Sequence, residues 1–189
     1  LTIAATLSFP VLAGDYNTVN KSISVDSGSS ASDVESVNGS IRIGDESFVR
    51  AVNSVNGSIK IGQDVTIERS VEAVNGSVSL KNGSEVGNRV ETVNGRIELQ
   101  GTHVAGDVET INGSIQLLDG SVVAGNVIVR EPKGWGWNNS RNKPVKVEIG
   151  ENVEVIGDLV FEHAVEVRIH ASASYGDIIG DEVTVIDIK

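Results

Sequence analysis

Val37-Asn38-Gly39-Ser40-Ile41 returns as Val55-Asn56-Gly57-Ser58-Ile59, Val74-Asn75-Gly76-Ser77-Val78, Val93-Asn94-Gly95-Arg96-Ile97 and Ile111-Asn112-Gly113-Ser114-Ile115, at spacings of 18, 19, 19 and 18 residues. A weaker copy, Val19-Asn20-Lys21-Ser22-Ile23, precedes the first by 18 residues. A period near 20 residues constrains the fold more than any other feature here. A unit that short cannot bury its own apolar face and must stack on its neighbours, as in a solenoid.

A second period lies inside the first. Val37, Ile43, Val49, Val55, Ile61 and Ile67 are six apart, and after one extra residue the count resumes at Val74, Leu80 and Val86. After a second extra residue it continues as Val93, Leu99, Ala105, Ile111, Leu117, Val123 and Val129. Pairs such as Ile41/Ile43, Ile59/Ile61 and Ile97/Leu99 alternate over short spans, which is the signature of a strand. The pattern predicts an all-β, single-stranded parallel β-helix whose triangular coils of 18 to 19 residues carry three short strands each. It places Val19, Val37, Val55, Val74, Val93, Ile111 and Val129 together in one of three interior columns. The count reappears at Ile149, Val155, Phe161, Val167, Ala173, Ile179 and Val185, for eight to nine coils in all. Aromatic residues are only 4% of the chain, so the core is expected to be aliphatic.

The Asn-Gly column reads first as corner chemistry, since both residues tolerate left-handed backbone angles. Asn20, Asn38, Asn56, Asn75, Asn94 and Asn112 are expected to stack, each side-chain amide bonding the next. Asn-Gly-Ser also matches a glycosylation acceptor at Asn38, Asn56, Asn75 and Asn112. Glycans on successive rungs about 4.8 Å apart would collide, so these matches are read as turns.

Between Val129 and Ile149 the spacing is 20 rather than 6, which marks an insert at about residues 130 to 144. Pro132 and Pro144 bracket it, as expected where proline is kept out of interior strands. Residues 130–146 hold both tryptophans and a local charge of +4 in a chain of net charge −11. Trp135, Trp137, Asn138 and Arg141 are the candidate ligand- or partner-binding residues, suited to stacking on a sugar ring or anchoring a protein. The alternative is that the two indoles fold back over an apolar seam of the rod.

The overall acidity disfavours nucleic acid as a partner. Cysteine is absent, so no disulfide framework or thiolate metal site is possible. His103, His163 and His170 occupy different places in the count and form no ligand cluster. No Gly-x-Ser-x-Gly elbow, phosphate loop or calcium loop is present, and neither a metal nor a cofactor is expected. Residues 1–13, Leu1 to Ala13, read as the apolar core and cleavage region of a secretory signal lacking its basic start, or else as an apolar first strand capping the solenoid. They are too few to span a bilayer. Residues 14–189 then form one solenoid domain in the periplasm, at the cell surface or secreted.

The triangular count, the aliphatic ladders and Val153-Glu154-Val155-Ile156-Gly157-Asp158-Leu159 resemble the bactofilin, or polymer-forming, family. The Val-Asn-Gly-Ser-Ile repeats resemble bacterial adhesin-like β-solenoids. The resemblance covers about residues 19–189 and implies a right-handed parallel β-helix, with end-to-end filament formation in bactofilins. It carries over no catalytic residues. The expected function is a structural or scaffold protein of the bacterial cell envelope or surface. Its partner would be a second copy, in a dimer or a filament, with Val183, Val185, Ile186 and Ile188 of the last coil as the self-association residues. The alternative is an adhesin-like module holding envelope polysaccharide or protein through the tryptophan insert. Hexapeptide-repeat acyltransferases and β-helix lyases share coil periodicities with this chain, but no positioned histidine or clustered acid and base can be assigned, so the chain is not read as an enzyme.

Overall fold

The computed structural model describes residues 14–132 and 143–189. Every regular element among them is a β-strand, and every strand pairing is parallel. The strands stack as a β-solenoid of about nine turns. At about 4.8 Å per rung the stack is roughly 40 Å long.

The first face is a nine-stranded sheet running from Ile23–Val25 through Ile41–Ile43, Ile59–Ile61 and Val78–Leu80 to Val183–Ile188. Its alternate residues make two interior columns. Ile41, Ile59, Val78, Ile97, Ile115, Val147 and Val167 form one, and Ile43, Ile61, Leu80, Leu99, Leu117, Ile149 and Ile169 the other. All fourteen side chains are buried. The second and third faces belong to one 14-stranded sheet, fused where the long strands Ser30–Asn38 and Phe48–Asn56 run across both. The second face contributes the buried column Ala31, Val49, Ile67, Val86, Val104, Val123 and Val155. The third contributes Val34, Val52, Val71, Val90, Val108, Val127 and Leu159. Matched aliphatic side chains stacked at rung spacing fill the interior, and each coil is stabilised chiefly by its two neighbours.

Four expectations are corrected. The column Val19, Val37, Val55, Val74, Val93 and Ile111 is not interior: Val19 is 61% exposed, Val37 and Val55 41% and Val74 40%, and Val93 and Ile111 are half-buried. The reason is strand alternation. Val52 and Ser54 face inward along Phe48–Asn56, so Val55 must face out. The interior position beside Val52 is filled by small or hydroxyl-bearing residues, Ser36, Ser54, Ala73, Thr92 and Thr110, and then by Val129 and Phe161. Val129 therefore belongs to this column and not to that of Val19.

The second correction concerns Ala105, which is exposed, while Val104 takes the interior place above Val86. The corner from Leu99 to Val104 is one residue shorter than the six-residue count assumes. Third, Ile178 rather than Ile179 continues the interior column, pairing with Leu159, and Ile179 faces solvent. Fourth, the Asn-Gly corner needs no left-handed backbone. Apart from Gly180 in the last coil, the positive-φ residues sit elsewhere, at Gly28, Glu46, Asp64, Gly83 and Gly101 among others, in the corner between the first and second faces. At the Asn-Gly corner, glycine is required by close stacking. A Cβ on Gly57 would lie 2.2 Å from the Gly39 carbonyl oxygen, and one on Gly76 would lie 2.1 Å from that of Gly57.

The strand that follows Val127–Val129 among the described residues is Val145–Ile149, which stacks on Ser114–Leu118 with Ile115 beside Val147 and Leu117 beside Ile149. The signal-like residues 1–13 and the tryptophan segment 133–142 lie outside the described residues, and Trp135, Trp137, Asn138 and Arg141 with them.

Candidate functional site

The surface valines line a groove of about 620 Å³ along the Asn-Gly edge. Val19, Val37, Val55, Val74 and Val93 contribute aliphatic groups at rung spacing. One strand position earlier but one, on the same outer surface, stand Glu35, Asn53, Glu72 and Glu91. Both columns face out because they are two residues apart on one strand. Exposed branched aliphatics in a continuous row are unusual on a soluble surface and mark a place where something can dock.

Charge along this wall is only partly compensated. Arg89 lies 3.0 Å from Glu72 and 3.2 Å from Glu91, while Arg130 pairs with Glu109 and lies 3.3 Å from Glu162. Burial pushes the Glu91 carboxyl above the ordinary range, the neighbouring Glu109 adds to the rise, and Arg89 offsets part of it. Farther down the rod Arg50 pairs with Asp33, and the hydrogen bond from the guanidinium holds that carboxyl below its usual range. The groove thus combines an aliphatic floor with a net negative side.

On the other side of the valines, the six asparagines form one column. Asn38 Nδ2 donates to Asn20 Oδ1 at 3.0 Å, Asn56 to Asn38 at 2.8 Å, Asn75 to Asn56 at 3.0 Å, Asn94 to Asn75 at 2.9 Å and Asn112 to Asn94 at 3.1 Å. Every interior amide therefore both gives and accepts one ladder bond, and the edge is held along its length. Strand register follows the same column from Asn38 through Asn56 and Asn75 to Asn94, and the next rung is joined there by bonds from the Asn112 N–H to the Val93 carbonyl at 2.8 Å and from the Ser114 N–H to the Gly95 carbonyl at 3.2 Å.

The self-association candidates lie on Val183–Ile188, which pairs with Val165–His170 and ends the nine-stranded sheet. Val185 stands in register with Val167 of the interior column yet is 46% exposed, and Ile186 is 38% exposed; Val183 and Ile188 are half-buried. The histidines are apart. His163 Nε2 is 3.1 Å from the Ile111 carbonyl, His170 Nδ1 is 2.8 Å from Ser172 Oγ, and His103 is an exposed strand residue. Among the described residues no group of three or more His, Cys, Asp or Glu is placed to hold a metal ion, and no helix is long and apolar enough to cross a membrane.

The groove is the feature that reading by residue type misses. The available signal was a pair of valine columns three residues apart, Val34 with Val37, Val52 with Val55 and Val71 with Val74. An odd separation on one strand puts the two columns on opposite sides. No family model, curated protein or solved structure matches the chain.

Proposed function

We propose that the chain is a structural rod, a scaffold protein of the bacterial cell envelope or surface that self-associates through its last coil. The observation that carries this reading is the state of that coil. Val185 continues the interior column above Val167, with nearly half of its surface exposed on the outermost strand of the sheet. Among the described residues Val183–Ile188 pairs only with Val165–His170, and an apolar position on a strand that pairs on one side is a template for another strand. A second copy supplies both the side chains and the backbone partners. Contact of unlike ends propagates into a filament, whereas contact of like ends closes as a dimer. The setting in the envelope rests on the resemblance to polymer-forming and adhesin-like solenoids and on the signal-like residues 1–13.

Sedimentation tests the reading. The wild type should associate more as concentration rises, and association should strengthen with moderate salt, because screening weakens the repulsion of a chain of net charge −11. Val185→Asp should sediment as a monomer with the central coils intact by far-ultraviolet circular dichroism. A wild type that remains monomeric at high concentration, in both low and moderate salt, sinks the proposal.

A second reading, an adhesin-like binding module, is favoured by the groove. Its floor is aliphatic rather than aromatic, which suits a protein segment with branched apolar and basic side chains better than a sugar ring. Discrete rods rather than assemblies in electron micrographs would shift weight to this reading.

A further inference from the structure

The described residues contain six Asn-Gly pairs, at Asn38, Asn56, Asn75, Asn82, Asn94 and Asn112. Such a pair carries its own reaction. The glycine nitrogen gives up its proton to solvent and attacks the asparagine Cγ, a C–N bond forms, and the Cγ–Nδ2 bond breaks with loss of ammonia. Water then opens the resulting succinimide at either carbonyl, leaving aspartate or isoaspartate. Because the attacking atom is the glycine N–H, a glycine whose N–H is already bonded must first release that partner.

In five of the six pairs the N–H is engaged. Gly39 donates to the Asn56 carbonyl, Gly57 to that of Asn75 and Gly76 to that of Asn94, each at 3.1 Å. Gly83 donates to the Gly101 carbonyl at 3.0 Å, and Gly113 turns inward to Thr110 Oγ1 at 3.0 Å. Gly95 breaks the series. Its N–H makes no hydrogen bond among the described residues, although the Asn112 N–H still donates to the Val93 carbonyl at 2.8 Å and the Ser114 N–H to the Gly95 carbonyl at 3.2 Å. We infer that Asn94 is the site at which this rod undergoes spontaneous deamidation, the other Asn-Gly pairs being held back by the hydrogen bonds that their glycine N–H groups make.

Asn56, Asn75 and Asn94 each donate one side-chain bond to the rung below and accept one from the rung above. Asn94 differs from the other two in the unbonded N–H of its following glycine, in being half-buried rather than exposed, and in having Arg96 where they have Ser58 and Ser77. The consequence is local and one-way. Aspartate at this position still accepts from Asn112 but has no N–H to give Asn75 Oδ1. Isoaspartate also lengthens the backbone at a corner where even a Cβ on Gly95 would lie 2.2 Å from the Gly76 carbonyl oxygen. Conversion therefore parts the amide column between Asn75 and Asn94.

Peptide mapping by mass spectrometry, on folded protein held at mildly alkaline pH, reads this directly. Asn94 should convert about fivefold faster than Asn38, Asn56 or Asn75, the factor that one net backbone hydrogen bond makes in a rate. In denaturing urea the pairs followed by serine should converge on one rate. Thr110→Val, which removes the acceptor of the Gly113 N–H, should make Asn112 the second reactive site. Equal conversion across the folded ladder, an inert Asn94 beside reacting neighbours, or no conversion at all over a period in which the unfolded chain reacts would each overturn the inference. So would an Asn112 left unchanged by Thr110→Val.

Discussion

Gly57→Ala is expected to destabilise the rod by about 3 kcal/mol, at the upper end of what overpacking costs. The added Cβ would sit 2.2 Å from the Gly39 carbonyl oxygen and 2.6 Å from its carbon. These are backbone atoms of the rung below and cannot rotate away. Relief requires the two coils to separate locally. Separation loosens the bond from the Gly39 N–H to the Asn56 carbonyl and the Asn56 to Asn38 ladder bond beside it. Gly28→Ala is the matched comparison. Nothing lies within 4 Å of its Cβ, but its φ is +70°, so it should cost only the left-handed strain of about 1 kcal/mol. Urea melts followed by circular dichroism separate the two. If Gly57→Ala proves as mild as Gly28→Ala, the corner is not held by close glycine stacking.

Leu99→Ala should cost about 3 kcal/mol, within the range for truncating a buried leucine in a core that cannot collapse. Leu99 is fully buried and stands in register between Leu80 below and Leu117 above. The strands on either side fix the rung spacing by their backbone bonds, so neighbouring side chains cannot move in to fill the void. In a solenoid the loss falls mainly on the two interfaces that the coil makes. Hydrogen exchange should therefore accelerate first in Val78–Leu80, Arg96–Gln100 and Ser114–Leu118. Acceleration spread evenly from the first coil to the last would contradict the nearest-neighbour picture.

Much of this architecture could be read from residue spacing, because a solenoid repeats its physical problem every coil. Ile41, Ile59 and Val78 recur at the coil period because the same interior position must be filled each time. Asn38, Asn56 and Asn75 recur because each amide needs the next. What spacing did not show is which apolar column faces in. Val37, Val55 and Val74 keep the period as faithfully as Val34, Val52 and Val71, and hydrophobicity alone sends both inside. The backbone permits one, and the structure gives the inner place to Val34, Val52 and Val71, with Ser36, Ser54 and Ala73 beside them. Hydroxyl-bearing residues are accommodated there where their polar atoms find carbonyls. Ser36 Oγ donates to the Lys21 carbonyl and Thr92 Oγ1 to that of Gly76. Ser54 Oγ is the exception, buried without a partner among the described residues. Ala105 was misplaced for a related reason: a constant count of six cannot see a corner that loses one residue between Leu99 and Val104 and regains it by the four-residue step from Val104 to Val108. The roles of glycine were also hidden, since a glycine needed for close approach and one needed for positive φ look alike in a sequence.

The placement of the valine ladder outside the core decides whether the Asn-Gly edge carries a groove at all, and the stability of Val55→Asn measures it most directly. With Val55 on the surface, exchanging it for asparagine should cost under about 1 kcal/mol in a urea melt, the scale of strand propensity at an exposed position. A loss of several kcal/mol, as expected for an amide forced into an aliphatic interior, would put Val55 back inside the rod.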